Sequence, residues 1–336
     1  MKKSGQSIAS ILTVLMMLIC ILDFKTAFAG AAEGVNLCLT VLIPSLLPFM
    51  ILASILIRSL GQRSVGKLGK ILKIPSGAES IFLVGLLGGY PIGAQCLSRK
   101  YTEDDLSKDE AQRMLAFCNN AGPAFIFGMG SNLFENPYIC WLIWGIHILS
   151  SILVALTIPA TGWGYSVPAS RARTSTEDVL PRCIRSMALV CGWVIIFRTI
   201  LGFMDRWIFF LLPQQWRIMF AGILELANGC CGLMNISSPP IRFIFFSIML
   251  AFGGCCVGFQ TYSVVHSSGL SMQYYFPGKI AQAMISYVVS SLLASVLWEY
   301  TISPVVFLWI MPILGAVIYR SRKSKKVCSI LAFIDV

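Results

Sequence analysis

The segment Gly88-Gly89-Tyr90-Pro91-Ile92-Gly93-Ala94-Gln95 sits inside an otherwise apolar run, 80–98, and is echoed by Gly253-Gly254-Cys255-Cys256-Val257-Gly258-Phe259-Gln260 inside another, 241–265. Both copies read GG-x-x-[IV]-G-x-Q. Adjacent glycines, and in the first copy a proline, interrupt a helix in the middle of an apolar stretch. An unpaired backbone group in hydrocarbon costs several kcal/mol, so non-helical backbone at that depth persists only where protein buries it or a cavity receives it. Broken helices of this kind face inward, toward a site.

The rest of the chain has the composition of a membrane protein. Of 336 residues, 57% are hydrophobic and 12% charged, and the mean hydropathy is +0.78; an ordinary soluble domain is about 25% charged. A soluble enzyme and a disordered chain are both excluded. At roughly 20 residues per span, this length houses on the order of ten membrane segments. The net charge of +11 does not signal nucleic acid, because the basic residues collect in short runs between apolar segments. Lys2 and Lys3, then Arg58, Arg63, Lys67, Lys70 and Lys73, then Arg320, Arg322, Lys323, Lys325 and Lys326 place three stretches in the cytoplasm by the positive-inside rule. The 12 cysteines show no C-x-x-C spacing and read as small packing residues. With only His147 and His266, there is little material for metal or acid-base chemistry, and no cofactor, metal site or catalytic residue is expected. The run 8–22 followed by Ala27-Phe28-Ala29 has the outline of a signal peptide; an uncleaved first span and a short external loop carrying Asp23, Lys25 and Glu33 is the favoured reading.

Further spans are expected at 35–57, 80–98, 113–130, 137–160, 183–204, 216–234, 241–265, 279–298 and 304–319. Pro44 and Pro48 interrupt the first of these, and Asn119-Asn120-Ala121-Gly122-Pro123 interrupts the third. Residues 45–61 pair loosely with 186–202, and Ala111-Gln112-Arg113-Met114 with Ala281-Gln282-Ala283-Met284. The chain divides accordingly into a span and loop (1–34), a first repeat (35–160), a polar linker (161–182), a second repeat (183–300) and a last span with a basic tail (301–336). Because the basic run follows the Ser45 helix but precedes the Ser186 helix, the two repeats are expected to be inverted, a recurring design of secondary transporters. To reconcile the parity of the spans, 80–98 and 113–130 are candidate re-entrant hairpins.

Several residues are candidates for a substrate site. Asn119 and Asn120 can hydrogen-bond a ligand or cap exposed backbone, and Gln95 and Gln260 can hold polar atoms or a neighbouring helix. Glu225, with Asn228 close behind it, is an intramembrane carboxylate and so marks a site or a proton relay; a protonated Glu bonded across helices is the alternative. Gly85, Gly89 and Gly93, like Gly254 and Gly258, have the four-residue spacing that brings helices close. Gly61 to Leu68 fits G-x-x-x-x-G-K but carries Leu where a nucleotide loop needs Ser or Thr. Glu103, Asp104, Asp105, Asp109 and Glu110 form either a solvated loop or an ion-paired gate.

The run Ile43-Pro44-Ser45-Leu46-Leu47-Pro48-Phe49, together with Gly88-Gly89-Tyr90-Pro91-Ile92-Gly93-Ala94 and Phe117-Cys118-Asn119-Asn120-Ala121-Gly122-Pro123, resembles the sporulation integral membrane protein YlbJ (SpoVV) family, whose members carry nucleoside-recognition Gate domains. The likeness spans roughly residues 35–300. It implies an all-α polytopic membrane protein distantly similar to concentrative nucleoside transporters, in the cell or forespore membrane of a spore-forming bacterium, that moves dipicolinic acid. Cys255-Cys256 replaces Tyr90-Pro91 in the second copy, so the two breaks are not chemically equivalent. The expected function is transport of a small polar or anionic solute, with substrate contacts from Gly88, Gly89, Tyr90, Gln95, Asn119, Asn120, Gly253, Gly254 and Gln260, and a coupling or site carboxylate at Glu225 beside Asn228. A nucleoside carrier and a non-transporting scaffold for other sporulation membrane proteins are the alternatives. The expected partners are a small-molecule substrate and the lipid bilayer.

Overall fold

Among the described residues all regular structure is helical, which is how a chain this apolar satisfies its own backbone in hydrocarbon. The computed structural model describes residues 2–60, 67–75, 78–159, 179–300 and 315. The expected span at 304–319, its basic tail, most of the 161–182 linker and most of the G-x-x-x-x-G-K segment lie outside the described residues. Among the described residues five segments are long and apolar enough to cross a membrane: Phe24–Leu56, Tyr138–Thr157, Val179–Trp207, Pro239–His266 and Tyr275–Trp298. The molecule is a polytopic helical membrane protein.

Helix α1 (Lys2–Leu22) ends at Asp23, which caps α2 (Phe24–Leu37) by accepting from Thr26 N at 3.4 Å. The external loop expected over residues 23–34 is therefore a helix. Gly30 and Gly34, one turn apart, let α2 lie directly on α10 (Val179–Trp207): a Cβ on either would fall within 2.9 Å of the backbone of Thr199 or Ile195. Its charges are matched as well, Glu33 by Arg198 and Asp23 by Arg206 at 3.2 Å. A π turn, Cys38–Leu42, runs on into α3 (Ile43–Leu60). Pro44 and Pro48 were expected to interrupt this span and do not: the wide turn just before Pro44 accommodates a residue that lacks a backbone donor, and Pro48 lies inside α3.

After the short α4 (Lys67–Leu72), one sequence of elements occurs twice. The first copy has α5 (Glu79–Gly88), α6 (Ile92–Thr102), α7 (Lys108–Cys118), α8 (Pro123–Leu133) and α9 (Tyr138–Thr157); after α10 the second has α11 (Gln214–Leu224), α12 (Leu226–Gly232), α13 (Pro239–Phe252), α14 (Gly254–His266) and α15 (Tyr275–Trp298). In each copy the first two helices fold back against each other, whereas the next two run on from one another. With 10 and 11 residues, α5 and α6 rise about 15 Å each, half of a hydrocarbon core of roughly 30 Å. Of the two candidate hairpins, then, 80–98 is one, whereas 113–130 is a broken helix that continues. The copies interlock, with α9 packing on both α7 and α13 and α15 on both α13 and α7.

Element order changes one pairing read from the sequence. Gly88–Gln95 forms the tip of a hairpin, whereas Gly253–Gln260 forms the break in a through-running helix, whose positional counterpart is Asn119–Gly122. The shared motif reports a shared need for a backbone turn rather than equivalent places in the two copies. By contrast, 45–61 and 186–202 fall on α3 and α10, each of which leads into its copy.

Between α6 and α7, Glu103 pairs with Arg99 at 2.7 Å, Asp105 with Lys100 at 2.6 Å and Glu110 with Arg113 at 3.4 Å. The first two pairs close at the turn, and the third lies within α7. Arg113 does more than that, although it is completely buried: its guanidinium donates to the carbonyls of Leu72, Lys73, Ala155 and Ile158 at 2.9–3.2 Å. One side chain thus ties α7 to the ends of α4 and α9. Arg113→Ala is expected to destabilise the protein by about 3 kcal/mol or more, since four buried acceptors lose their donor. Arg113→Lys should recover only part of this, because a single ammonium cannot span four carbonyls. Thermal unfolding in detergent measures both, and an unchanged midpoint in Arg113→Ala would contradict the assignment.

Candidate functional site

At the first hairpin tip Gly89 adopts φ +77°, and its backbone lies against that of Gly122, where a Cβ would come within 2.9 Å of Gly89 N. The hairpin tip is thereby seated on the α7–α8 break. The second copy repeats the arrangement: Gly254 (φ +81°) sits against Gly222 O and Leu226 N, so that the α13–α14 break meets the α11–α12 tip. Tyr90 connects the two copies, its Oη donating to Leu250 O at 3.0 Å while its ring occupies space that a side chain on Gly253 (φ +83°) would take.

Glu225 caps the second hairpin. Its carboxylate accepts from Ala227 N at 3.1 Å, Asn228 N at 2.7 Å and Asn228 Nδ2 at 2.6 Å. In place of the alternative reading, a Glu bonded across helices, these bonds run along the chain and hold the first turn of α12. Asn228 is part of this cap.

These four interruptions surround one cavity. Tyr90 comes from the first hairpin tip, Ala121, Gly122 and Phe125 from the α7–α8 break, Glu225, Leu226 and Ala227 from the second hairpin, and Val257 and Gln260 from α14; Leu42, Leu46, Val190 and Val194 complete the wall. It offers about 40 Å³ to the centres of water molecules, room for on the order of two or three waters. Glu225 and Gln260 are its carboxyl and amide groups, and among the described residues Gln260 Nε2 meets Cys256 Sγ alone, at 3.3 Å. Beyond the Glu225–Asn228 cap lies a second, polar cavity of about 560 Å³, which Arg198, Asp205, Gln214, Arg217, Asn228 and Asn235 line between α10, α11 and α12.

The other expected residues stand behind these walls. Gln95 donates to Ser186 Oγ at 2.6 Å and so fastens α6 to α10. Asn119 donates to Thr261 Oγ1 at 2.8 Å and accepts from Ala94 N at 3.4 Å. Asn120 caps the broken end of α7, donating to Phe117 O at 2.6 Å, and its Oδ1 receives Lys279 Nζ at 3.1 Å and Gln282 Nε2 at 3.2 Å. Gly88, Gly89, Gly253 and Gly254 shape the backbone around the cavity without lining it.

Sequence reasoning passed over Lys279, Gln282, His147 and Ser151. His147 Nε2 accepts from Ala121 N at 3.2 Å, and Ser151 Oγ donates to Phe117 O at 2.8 Å, so both satisfy backbone freed by the break. A signal was available: a lysine inside an apolar run with glutamine three residues on, and a histidine in the middle of a span.

No family model matches the chain, and no solved structure matches it. Among curated proteins, the sporulation integral membrane protein YlbJ of Bacillus subtilis (strain 168) is 24% identical, over 80% of this chain and 78% of that protein. The chain is thus similar to YlbJ over most of its length. The YlbJ relationship and the apolar helices agree on a multi-pass integral membrane protein. Removing the cap with Glu225→Ala is expected to cost the α11–α12 tip about 1 kcal/mol, with the amides of Ala227 and Asn228 exchanging hydrogen about five-fold faster. Exchange unchanged at those two amides would mean that the carboxylate does not hold the tip.

Proposed function

We propose that the chain carries a small polar or anionic solute across the membrane by alternating access, with the cavity at the four interruptions as its site. The observation that carries this reading is the convergence of two half-length hairpins and two broken helices on one buried space containing Tyr90, Glu225 and Gln260. Discontinuous helices meeting at depth from repeated units are the arrangement in which secondary transporters hold substrate.

Counting crossings supports the inverted relation. With Lys2 and Lys3 inside, α1 leads out and α2–α3 returns to the basic run at Arg58 to Lys73. Hairpin α5–α6 enters and leaves on that side, α7–α8 crosses out, and α9 returns to Arg171, Arg173, Arg182 and Arg185, as the positive-inside rule requires. Then α10 crosses out, and hairpin α11–α12 enters from the opposite side. The polar cavity beside Arg198 and Arg217 becomes an outward vestibule, which the Glu225–Asn228 cap separates from the site. Thiol labelling with a membrane-impermeant reagent tests this: Asp109→Cys and Ser237→Cys, on a background with other accessible cysteines replaced, should react from opposite faces, and reaction from one face would refute inversion.

The YlbJ relationship supports a role in sporulation, and the resemblance points to dipicolinic acid as the solute. Labelled dipicolinate should enter proteoliposomes containing the purified protein, with Gln260→Ala lowering uptake about ten-fold, on the order of 1.4 kcal/mol for one lost charge-assisted hydrogen bond. Uptake of a nucleoside control in place of dipicolinate would keep the site and change the solute. No uptake of either, with sporulation intact in the Gln260→Ala strain, would leave a scaffold.

A further inference from the structure

Behind Tyr90 lies a basic residue to which the transport reading gives no task. Lys279 of α15 is completely buried, and its Nζ donates to Asn120 Oδ1 at 3.1 Å and Gln282 Oε1 at 2.9 Å while standing 5.4 Å from the centroid of the Tyr90 ring. An ammonium offers three donors and no acceptor, and all three partners are electron-rich, two amide oxygens and an aromatic face. Among the described residues no carboxylate pairs with it. A lysine kept in such a place within a membrane segment is expensive, which marks it as functional by default.

Two short routes join Lys279 to the cavity. Tyr90 is both a wall of the cavity and the ring beside the amine, and Asn120, which holds Nζ, directly precedes the wall residues Ala121 and Gly122. About 40 Å³ does not admit a dicarboxylate on a six-membered ring, so a wall must move when such a solute binds. Tyr90 is suited to move, because its Oη is held by one hydrogen bond, to Leu250 O, and the neighbouring Gly253 has no side chain to trap the ring. The carboxylate in the wall, Glu225, repels an anion and already accepts three hydrogen bonds. We propose that Lys279 supplies the positive charge that receives an anionic solute, and that the Tyr90 ring is the partition that keeps it from the cavity until the solute enters. This rests on the transport reading and adds to it the residue that selects for negative charge.

The test uses the full chain in lipid nanodiscs with two probes of like shape, dipicolinate and the uncharged pyridine-2,6-dicarboxamide. Lys279→Met should weaken dipicolinate binding about 30-fold or more, the effect of removing one partner of a desolvated charge pair, while leaving the diamide unchanged; Lys279→Arg should restore most of the loss. Wild-type protein that binds dipicolinate no better than Lys279→Met overturns the proposal. A second readout does not depend on the solute: acetylation of Lys279 by an amine-reactive ester, followed by peptide mass spectrometry, should be about ten-fold faster in Tyr90→Ala as the opened wall exposes the amine, and dipicolinate should slow it again. An acetylation rate unchanged by Tyr90→Ala overturns the partition. Failure of the transport reading itself shows differently, as wild-type protein that neither binds nor moves dipicolinate or nucleoside, and it removes this inference as well.

Discussion

Backbone groups freed at depth in a membrane must find partners within the protein, and most of the polar side chains around the site answer that requirement. Phe117 O, at the broken end of α7, is taken by Asn120 and Ser151; Ala121 N by His147; Ala94 N by Asn119; Leu250 O by Tyr90; and Ala227 N and Asn228 N by Glu225. Each break therefore fixes a polar residue beside it, and four breaks in one place concentrate polarity in an otherwise apolar chain. Among the described residues, the groups left over there include the carboxamide of Gln260, whose Nε2 meets a thiol, the amine of Lys279, which has amide oxygens but no counter-charge, and Nδ1 of His147, which is buried without a hydrogen-bond partner.

The same requirement explains why small residues cluster at the site. A capped break still has to be covered, and glycine is what lets another backbone cover it. Gly85 and Gly93 both face Cys118 O, to which an added Cβ would come within 2.0 Å, so that α5 and α6 close over the end of α7. Gly222 and Gly229 do the same inside the second hairpin, where a Cβ on Gly229 would lie 2.1 Å from Gly222 Cα. Packing of this kind leaves no side chain to rearrange and joins each hairpin firmly to its own broken helix.

Much of this was legible in the sequence, and the limits have physical causes. Glycine, proline and asparagine inside apolar runs located three of the four breaks and brought Tyr90 and Gln260 to notice, while Glu225 stood out as a carboxylate in an apolar run; all three line the cavity. Those signals report that a helix stops; they do not report whether the chain then turns back or carries on, which is why 80–98 and 113–130 looked alike and why Gly88–Gln95 was matched with Gly253–Gln260. Gln95 was read as holding substrate or a neighbouring helix and Asn119 as touching substrate or capping backbone, but the partners that they bond, Ser186 and Thr261, lie 91 and 142 residues away and leave no local mark. Arg113 looked like one of several charges near an acidic turn, since the four carbonyls that it holds come from α4 and α9 and leave no mark on the local sequence. The external loop expected at 23–34 became helix because its partner, α10, lies far along the chain.

The two kinds of contact around the cavity also differ in strength in a way that bears on motion. Within each copy, hairpin and broken helix meet glycine to glycine, backbone on backbone, and separating them would uncover groups that have nowhere else to bond. Around the cavity the copies meet through individual side chains: Tyr90 to Leu250 O, Asn119 to Thr261, Gln95 to Ser186 and Lys279 to Asn120. Each such hydrogen bond contributes about 1 kcal/mol net, and each joins groups able to re-pair with water or a polar solute if the space opens. At the cavity itself the contacts between copies are therefore the more readily exchanged ones, whereas farther away α15 lies closely on α7, with Gly278 against the backbone of Ala116. Such a local difference around the cavity is what the proposed rocking carrier would draw on, and it follows from where the glycines and the long-range side-chain bonds fall.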